Sequence, residues 1–217
     1  MTRTGPGDGA SHAARAGALI LAVLLGTTGC SRPGDTVAPR DPAGTAPSPG
    51  AAPTRLDKPD TLFDGWQESV DRRLIGLADQ NMGAFKKYLT GEATSAVGTA
   101  YVARKEERSP ELGVHRPDDS RFVLLSGVSG TVPAPEAILD AVFAGLTAVT
   151  DVVPVQPGPL GGVARCGTGK NKAIRVDVCA WAGPQTIGMI HFTGFARSDQ
   201  PDQMFRQIRS QMEHPAR

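Results

Sequence analysis

Ile174-Arg-Val-Asp-Val-Cys-Ala-Trp-Ala182 decides the fold. Ile174, Val176, Val178 and Ala180 alternate with Arg175, Asp177, Cys179 and Trp181, and strict alternation is the period of a sheet strand with one face turned to a core. That face is aliphatic. Similar short runs flank the stretch at 163–168 and 186–194, separated from it by Gly169-Lys-Asn-Lys172 and Gly183-Pro184. Gly and Asn accept a positive φ and Pro interrupts a ladder, so both breaks are turns and the three runs form two consecutive hairpins.

Working outward, Pro135 suits a first helical position and Glu136 the positive helix end. Ile138, Leu139, Val142, Phe143 and Leu146 then mark one buried face. At the C-terminus, Asp199 reads as a cap and Pro201 as a helix start. Met204, Phe205, Ile208 and Met212 follow on one side. Upstream, Leu62, Phe63, Trp66, Val70, Leu74 and Leu77 recur at helical spacing, predicting an amphipathic helix over 61–80. A short helix around Ala84–Leu89, a strand over 94–103, a charged loop over 104–120 and an apolar strand over 121–130 complete the pass. The expected fold is α+β: a single small domain over 60–217 with an antiparallel sheet of about four to five strands and helices packed on its aliphatic face.

The first 59 residues are of another kind. A weakly basic start is followed by the apolar run Ala16-Gly-Ala-Leu-Ile-Leu-Ala-Val-Leu-Leu-Gly26 and by Thr27-Thr28-Gly29-Cys30, the three-part layout of a secretory signal over 1–29. The run falls short of the roughly 20 residues a membrane span needs. The junction resembles a bacterial lipobox, in which a small residue precedes a Cys that takes a diacylglyceryl group. Gly29 and Cys30 match, whereas Thr27 stands where that pattern usually has Leu. The resemblance implies lipidation at Cys30 and a chain held on the outer face of the cell membrane, two acyl chains being what stable anchoring takes. A plainly cleaved signal and an uncleaved anchor are the alternatives. From 30 to 59 the chain carries seven prolines among Ala, Gly, Ser and Thr, with Val37 and Leu56 as its bulky apolar residues. Such a segment cannot offset an ordering entropy of about 1–2 kcal/mol per residue, so it reads as a disordered tether.

With Cys30 assigned to lipid, Cys166 and Cys179 remain. They lie on consecutive predicted strands in a compartment where disulfides persist, so a structural bridge is expected. Two buried free thiols are the rival reading.

Motif by motif, no chemistry emerges. Gly169-Lys170 lacks the earlier Gly and the following Ser or Thr of a phosphate loop, and Gly127-Val-Ser129-Gly-Thr131 lacks the second Gly of a nucleophile elbow. His12, His115, His191 and His214 show no metal-ligand spacing, and His191 reads as a partly buried structural histidine. The adjacent carboxylates Asp118 and Asp119 sit in the charged loop. Segment 1–29 carries Arg3 and Arg15 against Asp8, which leaves residues 30–217 formally neutral, without electrostatic pull toward nucleic acid. The leader, Pro157-Gly-Pro-Leu-Gly-Gly162, Arg165-Cys-Gly167 and Val178-Cys-Ala-Trp-Ala182 together resemble uncharacterised secreted lipoproteins of actinobacterial type. This implies a place outside the cytoplasm and transfers no catalytic residue. The expectation is a membrane-tethered, non-catalytic module of the cell envelope, without catalytic, metal or cofactor residues. Its partners would be membrane lipid through Cys30 and an envelope protein or small ligand. The alternative is an extracytoplasmic hydrolase-like enzyme whose site is assembled from distant residues. The two part on geometry: Ser129 or His191 beside a carboxylate in a deep polar pocket favours the enzyme, and a shallow apolar patch favours the module.

Overall fold

The structure, a computed structural model, describes residues 53–216 apart from Asp64, Arg104 and Asp118. The expected signal segment, Cys30 and the expected linker as far as residue 52 lie outside the described residues. Eleven strands and three α-helices follow one another: β1 Thr54–Leu56, β2 Gln67–Glu68, α1 Arg72–Phe85, β3 Thr90–Val102, β4 Glu107–Ser109, β5 Gly113–His115, β6 Phe122–Thr131, α2 Pro135–Ala144, β7 Val149–Pro154, β8 Val163–Asn171, β9 Ile174–Ala182, β10 Thr186–Thr193, α3 Pro201–Met212 and β11 Glu213–Pro215. The main sheet has seven strands in the order β2-β3-β6-β10-β9-β8-β7, every neighbouring pair antiparallel. After β6 the chain crosses through α2 to the far edge at β7. It then returns as the meander β7-β8-β9-β10 until β10 closes against β6.

The hairpins built around Ile174–Ala182 are present, and the sheet is wider than the expected four to five strands. β2 and β7 are the added edges. Neither shows the alternation of a half-buried strand: β2 has two residues and β7 is mostly exposed with a register shift between Thr150 and Val153, where Asp151 takes φ +50°. The first hairpin turns at Lys172-Ala173 rather than over Gly169–Lys172. Lys172 supplies the positive φ, and β8 runs on to Asn171.

The expected helix over 61–80 is corrected to Arg72–Phe85. Asp71 caps it by accepting from the Arg73 backbone N–H at 3.0 Å. Ahead of that cap, Leu62 and Trp66 form an isolated bridge, with Phe63 at φ +46° and Gly65 at φ +92° turning the chain between them. Helical spacing in this segment therefore reflects two different burials, since Leu62 and Trp66 pack on one side of the sheet and Leu74 and Ala78 on the other. Leu56 corrects the boundary at 60. β1 pairs with β11, the Leu56 N–H donates to Ser95 Oγ at 2.7 Å, and the Leu56 side chain is buried against Gly127, where a Cβ would leave it no room. The charged loop carries the short hairpin β4-β5. Asp199 does not cap α3; its carboxylate accepts from the Ala196 N–H at 2.8 Å in the preceding turn, and Gln200 at φ +51° enters the helix.

Helices cover both faces, not one. Register places Val176, Val178, Ala180 and Ala182 of β9 on one face with Ile187, Met189 and His191 of β10, and there α1 and α2 supply Phe85, Ile138, Leu139 and Val142. The opposite face carries Cys179, Trp181, Ile190 and Phe192, covered by Phe205, Ile208 and Met212 of α3 together with Leu56, Leu62 and Trp66. Gly188 stands beneath the Trp181 ring, and a Cβ there would overlap the indole. A three-layer arrangement lets both faces of the central strands be apolar, which is why β6 and β10 are almost continuously buried.

Candidate ligand-binding pocket

Sequence reasoning singled out a few side chains, and the fold disperses them. Cys30 lies outside the described residues. Cys166 and Cys179 stand directly opposite on β8 and β9 and are joined by a disulfide. Their Cα atoms are 4.1 Å apart, a little closer than the expected 4.5 Å or so of an antiparallel pair. Ser129, the elbow candidate, is fully buried in β6, and its hydroxyl is held by Thr94 Oγ1 at 2.8 Å and Ser95 Oγ at 2.6 Å. Asp118 is outside the described residues, and Asp119 grips the Arg121 side chain at 2.7 Å. His115 belongs to the β4-β5 hairpin beside Glu107 at 3.6 Å, and the His214 ring nitrogen donates to the Gln211 carbonyl at 2.8 Å. Among the described residues no three His, Cys, Asp or Glu side chains converge, and no helix is long and apolar enough to cross a membrane.

His191 is the exception. It sits on β10 opposite Leu124 of β6 and Val178 of β9, on the face shared by α1 and α2. α1 lies over β3 and β6, while α2 lies over β8 and β9. Between them part of β9 and β10 is left without a helix, and a cavity of about 470 Å³ opens there, within the range of about 300–1,000 Å³ typical of small-ligand clefts. Its floor is Leu124, Val178, His191 and Thr193, and its walls are Leu77 of α1, Phe122, Val176 and the Leu146–Val149 segment after α2. Leu77 is 44% exposed. Lys170, Asn171 and Lys172, all exposed at the β8-β9 turn, complete the rim. None of these lining residues is acidic.

The imidazole is the polar feature of the floor. Its Nε2 is closed off from solvent and has no hydrogen-bond partner, and burial pulls its pKa from 6.5 to about 4. At neutral pH the ring is uncharged. A buried, unsatisfied nitrogen costs about 1–3 kcal/mol.

The same burial makes stability depend on pH. The unfolded chain binds a proton at His191 near pH 6.5 and the folded chain only near pH 4, so the contribution is complete above 6.5 and is lost as pH falls to 4. At about 1.4 kcal/mol per pKa unit the full loss, reached below pH 4, is about 3–4 kcal/mol. Chemical denaturation at pH 7, 5.5 and 4.5 should show this decline, and His191→Phe should flatten it. A variant as pH-sensitive as the parent across that window would remove His191 as the cause. Asp71, whose hydrogen bond from Arg73 holds its carboxyl below 3.8, acts only at lower pH.

Strand position was legible for His191, within the run 186–194. Leu77, Leu146 and the two lysines were missed as a group, because they come together only through the crossover that places α2 and the meander beside α1. Comparison with protein-family models, with curated proteins and with solved structures returned no match.

Proposed function

We propose that the chain is a lipid-tethered protein held at the outer face of the cell membrane, and that it serves there as a non-catalytic binding module whose ligand occupies the cavity over His191. The observation that carries this reading is the make-up of that cavity: apolar walls, one neutral imidazole on the floor and no carboxylate among the lining residues. A hydrolytic site needs a nucleophile paired to a base and a group that orients the base. Ser129 is occupied with Thr94 and Ser95, and His191 faces Leu124 and Val178 across the sheet. Apolar lining with a few convergent polar groups is the composition of small-ligand sites. The tether follows from the leader and from Gly29-Cys30.

Anchoring is tested by intact-mass measurement of the mature protein and by membrane fractionation. The expected N-terminus is Cys30 carrying a diacylglyceryl group, and Cys30→Ser should move the protein to the soluble fraction or leave it unprocessed. An unlipidated N-terminus at another residue would overturn the tether.

A further inference from the structure

The cavity is chemically lopsided, and this bears on what fits it. Its inner part is Leu124, Val178 and a neutral His191, whereas its rim holds Lys170 and Lys172, neither of which is in an ion pair among the described residues. Resting on the binding-module reading above, we propose that the ligand is a single-chain anionic amphiphile of the fatty-acid class, its alkyl chain over His191 and its carboxylate at Lys170 and Lys172.

The orientation follows from solvation. A carboxylate taken to the floor would lose its water beside an uncharged ring and two aliphatic side chains, a penalty that nothing there offsets. At the rim the same group keeps water on one side and meets two ammonium groups and the Asn171 amide on the other. A cationic head would meet like charge at the lysines, and a neutral head would leave them unused. The alkyl chain gains from every methylene it buries. About 470 Å³ holds roughly fifteen groups of about 30 Å³, the volume of a water-sized group in a liquid, so one chain of medium length fits. The exposed apolar side chain of Leu77, on α1, adds to the lining that the alkyl chain would contact.

Calorimetric titration of the full chain carrying Cys30→Ser, and hence free of attached lipid, tests this with dodecanoate, dodecanol and dodecyltrimethylammonium below their aggregation concentrations. Dodecanoate should bind at least about tenfold more tightly than the cationic amphiphile, the size of effect two solvent-facing ion pairs reach together, and added salt should narrow the gap. Lys170→Glu with Lys172→Glu, both exposed and tolerable to the fold, should reverse the order. Leu77→Trp, which adds bulk to the lining, should weaken all three. Equal binding of the three heads, indifferent to the charge reversal, would overturn the acidic-head assignment while leaving the binding module standing. No uptake of any of them by folded protein would remove the cavity as a ligand site and the module reading with it.

Discussion

Replacing Arg209 by Met is expected to cost the fold about 3–5 kcal/mol, the usual effect of breaking a buried ion pair from one side. Arg209 and Glu213 are each 2% exposed and meet at 2.9 Å across one turn at the end of α3. Glu213 also accepts from the Trp181 indole N–H at 2.8 Å and from the Thr186 hydroxyl. Arg209 also donates to the Pro157 and Gly161 carbonyls at 2.8 and 3.0 Å, and its guanidinium stands 5.6 Å from the Trp181 ring. Burial lowers the guanidinium's pKa, and the carboxylate of Glu213 acts against that. Met would fill the space, but it would strand the Glu213 charge in a site reached by neutral donors alone, and two loop carbonyls would lose their donor. Against a total stability of about 5–15 kcal/mol for a domain this size, that is a large fraction. The diagnostic measurement is the double variant Arg209→Met with Glu213→Gln in urea unfolding. Gln keeps an acceptor for Trp181 and carries no charge, so the double variant should be more stable than Arg209→Met alone. If the two losses simply add, the damage comes from the severed loop contacts and not from a stranded charge.

This network also shows what the sequence could and could not reveal. Pro201 announced the start of the last helix, though Asp199 is not its cap, and Phe205, Ile208 and Met212 announced its buried side. Arg209 and Glu213 drew no reading, because their partners Trp181, Pro157 and Gly161 arrive from 28 or more positions away. Elements whose burial has one source were legible: β9, with its clean alternation, and α2, with its single apolar side. Elements that serve two layers were not. Leu62, Trp66, Leu74 and Leu77 keep helical spacing while splitting between the two faces of the sheet, and the chain turns at Phe63 and Gly65 where a helix was expected. A second cover for the sheet could have been suspected from Cys179 and Trp181, since a strand that carries Trp on its other face needs something to bury it.

The cavity follows the same rule. His191 was placed on its strand by the run 186–194, yet a strand pattern says nothing about what lies above its face. The space over it exists because α1 and α2 come from opposite ends of the sheet order and cover different strands. Lys170 and Lys172 were noticed as turn residues, and a turn at Lys172 is what they make. Their position at a rim depends on α2 and the start of β7 lying alongside, which no local pattern encodes.

Removal of the Cys166–Cys179 bridge is the other substitution with a large expected effect, about 3 kcal/mol lost in the Cys166→Ala, Cys179→Ala variant. The two residues are 13 apart, and in the chain-entropy model closing a loop of this size limits the unfolded ensemble by about 3 kcal/mol. Packing adds to this, because Cys179 is fully buried among Trp181, Ile190 and Phe205, and Ala leaves part of that volume empty. The folded state should nevertheless survive. β8 and β9 remain paired from Val163 opposite Ala182 to Asn171 opposite Ile174, and Trp181 stays seated over Gly188, so the hairpin does not depend on the bond for its register. The expected result is therefore a lower midpoint in denaturant with unchanged far-ultraviolet circular dichroism, and a smaller shift in the same direction when the parent protein is unfolded in the presence of a strong reductant, which removes the cross-link but leaves both sulfurs in place. A variant that loses its sheet signal altogether would mean that the bridge sets the strand pairing. A variant as stable as the parent would mean that the unfolded chain already holds these two strands together.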